Sequence, residues 1–186
     1  MTGSDVTTKR GRRSSRCAAF AGDNEGATAV EFALIGAPFL ALLIALIQTF
    51  LVFFAQELLE SVVLQSGRLV MTGQVQSQQM TQAQFKQQVC NQVVILFNCS
   101  GLMIDMQVAS SWSSANTAMP TLTFNSDGTV SNVWQYNPGN AGDPVVLRVM
   151  YVWPVMLGPL GFNLSNISNG NRLIMASAAF QNEPGS

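Results

Sequence analysis

Few residues of this chain could carry out chemistry, and their types exclude most catalytic sites. The sequence of 186 residues contains no histidine, which excludes imidazole general bases, histidine-based triads and zinc sites with histidine ligands. Asp105, Asp127 and Asp143 follow no recognisable spacing, so we expect them on the surface or in turns rather than in an acid–base pair. The sequence therefore predicts a protein that is not an enzyme, with no catalytic residue, no metal site and no cofactor.

Cysteine placement predicts one disulfide. Cys17 lies in a basic amino-terminal head, whereas Cys90 and Cys99 flank the segment NQVVILFN. A bridge between the two later cysteines would tie a helix to the following loop, and such a short closed loop contributes roughly 2–3 kcal/mol in the chain-entropy model. It requires an oxidising compartment. Two buried free thiols are the alternative, and two cysteines are too few for a structural zinc site.

One carboxylate, Glu31, stands at the start of a long apolar run. From Phe32 to Ala55 the only clearly polar residues are Gln48 and Thr49, and at about 1.5 Å per residue a helix over 32–55 would be roughly 36 Å long, enough to cross a bilayer core. A cleaved secretory signal has a shorter apolar region followed by a small-residue cut site. The run is therefore predicted to remain in the mature protein as a transmembrane helix.

The position of Glu31 needs a physical reason, because a carboxylate in mid-bilayer costs about 2.5–3.5 kcal/mol on insertion scales. We expect it near the interface or beside a neutralising partner; an interfacial carboxylate with no role is the alternative. Pro38, within the run, is predicted to kink the helix without ending it, since neighbouring helices can satisfy the freed carbonyl.

Basic residues are concentrated ahead of the apolar run. Five of the nine lysines and arginines lie there: Lys9, Arg10, Arg12, Arg13 and Arg16. The positive-inside rule then predicts a cytoplasmic amino terminus, with the rest of the chain across the membrane. No aromatic residue interleaves with this cluster, so nucleic acid is not an expected partner.

Helical patterning continues beyond the membrane-length run. Apolar residues at three- and four-residue spacing extend the predicted helix to 73, where TGQVQSQQ indicates a polar linker. A second, short helix begins at a capping box formed by Thr81 and Gln84, with Met80 and Phe85 at the two staple positions.

The remainder of the chain has the character of β-structure. Four stretches are rich in β-branched and aromatic residues, and an Asp-Gly pair indicates a hairpin turn in the second: LMIDMQVASSW, TLTFNSDGTVSNVW, PVVLRVMYVWPV and RLIMASAAF. We expect four or so antiparallel strands. The predicted fold class is α+β: a long amino-terminal helical stalk, a short second helix and a small antiparallel sheet in a globular domain over 80–186.

The residues around Glu31 follow a recognisable order: a basic leader, Gly26, then Ala27, an acidic residue fifth after the glycine, an aromatic residue and an apolar helix. This resembles the processing site of the type IV pilin superfamily. More narrowly, GATAVEFALIGAPFLALLIALI is similar to the TadE-like family, minor pilins or pseudopilins of tight-adherence (Flp-type) type IV pilus systems. ASAAFQNEP near the carboxyl end is similar to the closing strand of that family.

The resemblance implies a function and a set of partners. A prepilin peptidase would remove the leader 1–26 by cutting between Gly26 and Ala27, which leaves 27–73 as the mature helix. Ala27, Glu31 and Phe32 would then set the register of assembly, since the carboxylate would pair with the new amine of an adjacent subunit. Further implied partners are other major and minor pilins, the inner-membrane assembly platform and membrane lipid. The implied location is the bacterial inner membrane, single-pass with a periplasmic carboxyl-terminal domain, and the pilus or cell surface after assembly.

Two alternatives remain open at the level of sequence. The chain could be a pseudopilin of a type II-like secretion system, which the neighbouring genes would distinguish. It could also be a plain bitopic protein with a periplasmic binding domain, which would keep residues 1–26.

Overall fold

Helices precede strands along the chain. A computed structural model describes residues 25–93, 95–156, 158 and 161–184. In that part of the chain the elements are α1 (Glu25–Met71), α2 (Gln74–Ser77), α3 (Gln82–Val93), β1 (Met103–Val108), β2 (Pro144–Trp153) and β3 (Arg172–Gln181), with short 3-10 turns at Cys99–Gly101 and Trp112–Ser114. This arrangement confirms the predicted α+β class.

The first helix, α1, is 47 residues long and continues through Pro38. It is the one described helix that is long and apolar enough to cross a membrane, by length and composition alone, with a mean hydropathy of 2.4 in its most apolar window. Cys17 and the basic cluster lie outside the described residues. The chain divides into two compact units between Ile44 and Ala45, inside α1.

The glutamine-rich segment after α1 is not the linker that its composition indicated. Gly73 adopts a left-handed conformation, with φ of 71°, and Gln74–Ser77 then forms the short helix α2. Glycine is favoured at this position because a side chain would be strained there. Val75 is 1% exposed; one apolar residue among the glutamines therefore anchors the segment to the core.

The start of α3 agrees with its predicted capping box. The Thr81 backbone N–H donates to Gln84 Oε1 at 2.9 Å, and the Gln84 N–H donates to Thr81 Oγ1 at 3.3 Å. The box satisfies two amide groups that the first helical turn leaves without intrahelical partners. Phe85 and Val89, on the buried face of α3, are fully enclosed.

The sheet has three antiparallel strands in the order β1-β2-β3. Residues on one face of it belong to the same buried cluster as Leu59, Val63 and Val70 of α1 and Phe85 and Val89 of α3; they include Ile104, Met106, Leu147, Val149, Ile174 and Ala176. A Cβ atom placed on Gly67 would lie 3.0 Å from the Phe180 ring. Glycine at this position thus lets α1 approach β3 closely.

The expectation of four or so strands was wrong for the described residues. The second predicted stretch forms only an isolated antiparallel bridge between Phe124 and Val130. Asp127 Oδ1 accepts hydrogen bonds from both the N–H and the hydroxyl of Thr129. These bonds lower the pKa of Asp127, and the bond from the hydroxyl has the largest effect. Local backbone and side-chain hydrogen bonds therefore hold this turn. The chain meets the sheet just after it, through a single bridge between Tyr136 and Met106, and forms no fourth strand there.

Candidate processing and assembly site

Gly26 and Ala27 lie in α1, at the amino-terminal edge of the described residues. Gly26 is exposed, and a Cβ atom built on it would meet no atom within 4 Å. The described structure therefore places no packing demand on Gly26.

Glu31 lies one helical turn after Ala27, a spacing that puts the two positions on the same face of α1. Its side chain is exposed. In the described part of the chain the ion pair is Arg148 with Asp105, and Glu31 takes part in none. The described residues therefore supply no ion-pair partner for its carboxylate.

Phe32 and the following apolar residues are turned outward. Phe32 is 78% exposed, and its ring lies 3.7 Å from the position that a Cβ of Gly36 would occupy. Large exposed side chains continue along the helix, and they include Leu34, Ile35, Phe39, Leu40 and Leu42. Such a surface is unstable in water and suits hydrocarbon or neighbouring helices.

Cys90 and Cys99 are joined by a disulfide, with their Cα atoms 5.5 Å apart. Cys90 is on the buried face of α3, and Cys99 begins the 3-10 turn that follows. Lys86 donates from Nζ to the Ser100 carbonyl at 3.2 Å, and burial lowers the pKa of Lys86. The bridge and this hydrogen bond both connect α3 to the entrance of β1.

Asp105 corrects one expectation from the sequence. It was predicted to lie on the surface or in a turn, but it is 1% exposed and directly opposite Arg148 in the β1–β2 ladder. Arg148 Nε donates to Asp105 Oδ2 at 2.9 Å. A single acidic residue in a β-pattern does not reveal a partner on a different strand, so no signal in the sequence could have identified this pair. Asp127 and Asp143 do lie in turns.

The buried pair also holds the long connection between β1 and β2. Asp105 Oδ1 accepts from the Gln135 backbone N–H at 2.9 Å, and Arg148 Nη1 donates to the Ala118 carbonyl at 3.3 Å. The carboxylate and the guanidinium of the pair are therefore both hydrogen-bonded within the fold. The arrangement therefore has a structural role, because it joins β1, β2 and the connection between them.

A comparison with protein families gives a match at the amino-terminal helix. Residues 26–68 match the family model described as TadE-like protein. This segment of the chain is similar to the TadE-like family. The resemblance drawn from the motif around Glu31 is thereby confirmed for that segment. Comparison with curated proteins and with solved structures gave no match.

The matched residues cover one part of the chain. It begins at Gly26, lies entirely within α1 and includes Glu31, Phe32 and Pro38. The disulfide, the sheet and the buried ion pair all lie outside the matched residues.

Proposed function

We propose that this protein is a minor pilin or pseudopilin of a tight-adherence (Flp-type) type IV pilus that acts in pilus assembly and surface adhesion. The observation that carries the proposal is the TadE-like match. It starts at Gly26, the residue before the proposed cut, and contains the acidic and aromatic residues of the processing motif.

The first step is removal of residues 1–26 by a prepilin peptidase at the cytoplasmic face. The exposed and unpacked surroundings of Gly26 support access to this bond. Cleavage leaves Ala27 as a new, positively charged amino terminus at the start of the apolar helix.

The second step is lateral association through α1. The exposed carboxylate of Glu31 pairs with the Ala27 amine of a neighbouring subunit, and Phe32 packs beside that contact. Pairing offsets the cost of placing each charge near hydrocarbon, so it fixes the axial position of adjacent helices. The apolar side chains that α1 exposes supply the rest of the contact.

The remaining segments of the protein are the membrane helix and the periplasmic domain. Residues 27–73 form the mature helix, which anchors the protein in the inner membrane with its amino terminus cytoplasmic, and 80–186 form a periplasmic domain. The Cys90–Cys99 bridge supports an oxidising compartment for that domain. Its partners are the peptidase, other pilins, the assembly platform and lipid.

Co-expression with and without the cognate prepilin peptidase tests the proposal. We expect a decrease in mass equal to residues 1–26 only when the peptidase is present, followed by cross-linking to pilins of the tight-adherence system. Retention of the full-length form would indicate a plain bitopic protein. Cleavage with cross-linking only to a secretion apparatus would indicate a secretion pseudopilin.

A further inference from the structure

A cleft of mixed aromatic and polar character lies in the globular domain, between α3 and the chain around the strands. It has a volume of about 600 Å³, within the range of about 300–1,000 Å³ that is usual for small-ligand sites. Its lining includes Lys86 of α3, Asn132 and Trp134 of the β1–β2 connection, Tyr151 of β2, and Asn171 just before β3. Three distant parts of the chain therefore meet around one concave surface.

Two aromatic side chains form part of the wall of the cleft. Trp134 and Tyr151 are both half-buried. The Tyr151 ring is held by its neighbours, because its centroid lies 5.0 Å from that of Phe97 in an edge-on arrangement. A Cβ atom placed on Gly101 would lie 2.9 Å from the same ring. Glycine at 101 thus lets Tyr151 lie close against the turn that precedes β1, where it gives the cleft a firm aromatic surface.

Three polar side chains of the cleft have no hydrogen-bond partner among the described residues. They are the indole N–H of Trp134, the hydroxyl of Tyr151 and the amide of Asn171. The buried side-chain atoms that lack a partner lie elsewhere in the described chain, so these three groups remain accessible from outside. A ligand that carries several oxygen atoms could bond to all three, because each of them can donate a hydrogen bond.

Lys86 supplies a positive charge to the cleft. Its Nζ donates to the Ser100 carbonyl at 3.2 Å, which uses one of three N–H groups. Burial lowers the pKa of Lys86, and none of the described residues that line the cleft is acidic. The carboxylate of Asp127, in the adjacent turn, is bonded to Thr129. A carboxylate on a ligand would therefore supply a counter-charge that the lining lacks.

The backbone beside the cleft disfavours an extended peptide as the ligand. Such a peptide binds by adding a strand to a free sheet edge. At the outer edge of β1, the Met106 N–H donates to the Gln135 carbonyl at 2.9 Å, and the Met106 carbonyl accepts from the Asn137 N–H at 2.9 Å. Gln82 Nε2 donates to the Ile104 carbonyl at 3.1 Å. Because this edge is already occupied, a ligand has to bind through the side chains of the cleft.

We propose that the cleft binds an acidic saccharide, with a sugar ring against Trp134 and Tyr151 and its carboxylate at Lys86. A pyranose ring suits this lining, because its C–H groups pack against aromatic rings and its hydroxyl groups bond to indole, phenol and amide groups. The inference rests on the proposed function, since it names the chemical class that surface adhesion by this domain would recognise. Binding itself requires neither cleavage at Gly26 nor another pilin.

Isothermal titration calorimetry of the full chain tests the inference, in a zwitterionic detergent without a sugar headgroup. The probes are oligosaccharides of galacturonate, mannuronate and glucuronate, each compared with the neutral oligosaccharide of galactose, mannose or glucose. We expect at least one of the acidic probes to bind about tenfold more tightly than its neutral counterpart, the effect of one charged hydrogen bond.

Two variants assign the binding to the cleft. Lys86→Gln should abolish the preference for the acidic probe and leave the affinity for the neutral sugar unchanged, with Arg68→Gln as the control for an exposed cation outside the cleft. Trp134→Ala should weaken binding of both sugars about tenfold. Trp112→Ala is its matched control, because Trp112 is 55% exposed on the same connection but does not line the cleft.

Two results would overturn the inference. Absence of binding to every acidic probe would do so and would leave the pilin hypothesis intact, because cleavage and cross-linking are measured separately. Equal weakening by Trp112→Ala and Trp134→Ala would also do so, since it would show adsorption outside the cleft. Trp134→Phe covers the case in which Trp134→Ala folds poorly; it keeps the ring and should retain most of the affinity.

Discussion

Arg148 and Asp105 face each other across β2 and β1, and the guanidinium donates from both Nε and Nη2 to the same carboxylate oxygen. The other carboxylate oxygen accepts from the Gln135 N–H. Both side chains are buried, so each charge depends on its partner for compensation. The pair couples two strands to the long connection between them.

Asp105→Asn should destabilise the domain strongly. Removal of one member of a buried pair leaves the other charge uncompensated, which costs about 3–5 kcal/mol. Urea unfolding of the full chain in detergent, followed by tryptophan fluorescence, measures the change. Glu57→Gln is the control, because it removes the same charge at an exposed position of α1.

The double variant Asp105→Leu, Arg148→Met separates the ion pair from packing. It should lose less stability than the sum of the two single variants, because no unpaired charge remains. Additive losses, or a loss for Asp105→Asn no larger than for Glu57→Gln, would show that the pair does not couple the strands.

Loss of the Cys90–Cys99 bridge should lower stability to a moderate extent. The bridge closes a short loop, with a sequence separation of 9, which corresponds to roughly 2–3 kcal/mol in the chain-entropy model. Cys90→Ala with Cys99→Ala should therefore shift the urea midpoint downward, with Cys17→Ser as the control. Alkylation of the native protein before and after reduction should add label at these two cysteines only after reduction; full labelling without reductant would contradict the bridge.

The sequence was sufficient to predict features that depend on residues close together along the chain. It was insufficient to predict those that depend on residues far apart along the chain. The capping box at Thr81 and Gln84 and the turn at Asp127 involve residues a few positions apart, and both patterns predicted the local structure. Asp105 was misplaced because its partner lies on a strand reached only after a long connection. The helix around Val75 was missed because burial of one side chain outweighs a polar composition.

Gly26→Val should block processing without disturbing the fold. Space around Gly26 is open, so the added side chain meets nothing within the described structure, and the proposed peptidase instead loses access to a small residue at the bond. A blot for the mature size measures cleavage, with Gly26→Ala as the control that keeps a small side chain. An undiminished mature band in Gly26→Val would remove the main support for the pilin hypothesis.

Glu31→Gln should impair assembly with other pilins but leave cleavage of the leader largely intact. The variant keeps size and hydrogen-bonding ability but loses the charge, so it should insert and be largely processed yet associate poorly. A buried pair broken on one side can cost about 3–5 kcal/mol, and less near the interface; even half of that reduces association more than fivefold, since about 1.4 kcal/mol is a factor of ten.

Cross-linking to partner pilins, at matched levels of mature protein, measures the effect of Glu31→Gln. Glu57→Gln is again the matched control, because it removes an exposed carboxylate from the same helix. Equal recovery of wild type and Glu31→Gln would mean that Glu31 is only an interfacial carboxylate.

Amino-terminal sequencing of the protein extracted from the inner membrane tests the central claim most directly. Cleavage between Gly26 and Ala27 predicts that the mature chain begins Ala-Thr-Ala-Val-Glu. The same sample from cells that lack the prepilin peptidase should begin at Met1. A chain that begins at Met1 in both strains, or at a residue downstream of α1, would contradict the assignment of this protein as a processed pilin.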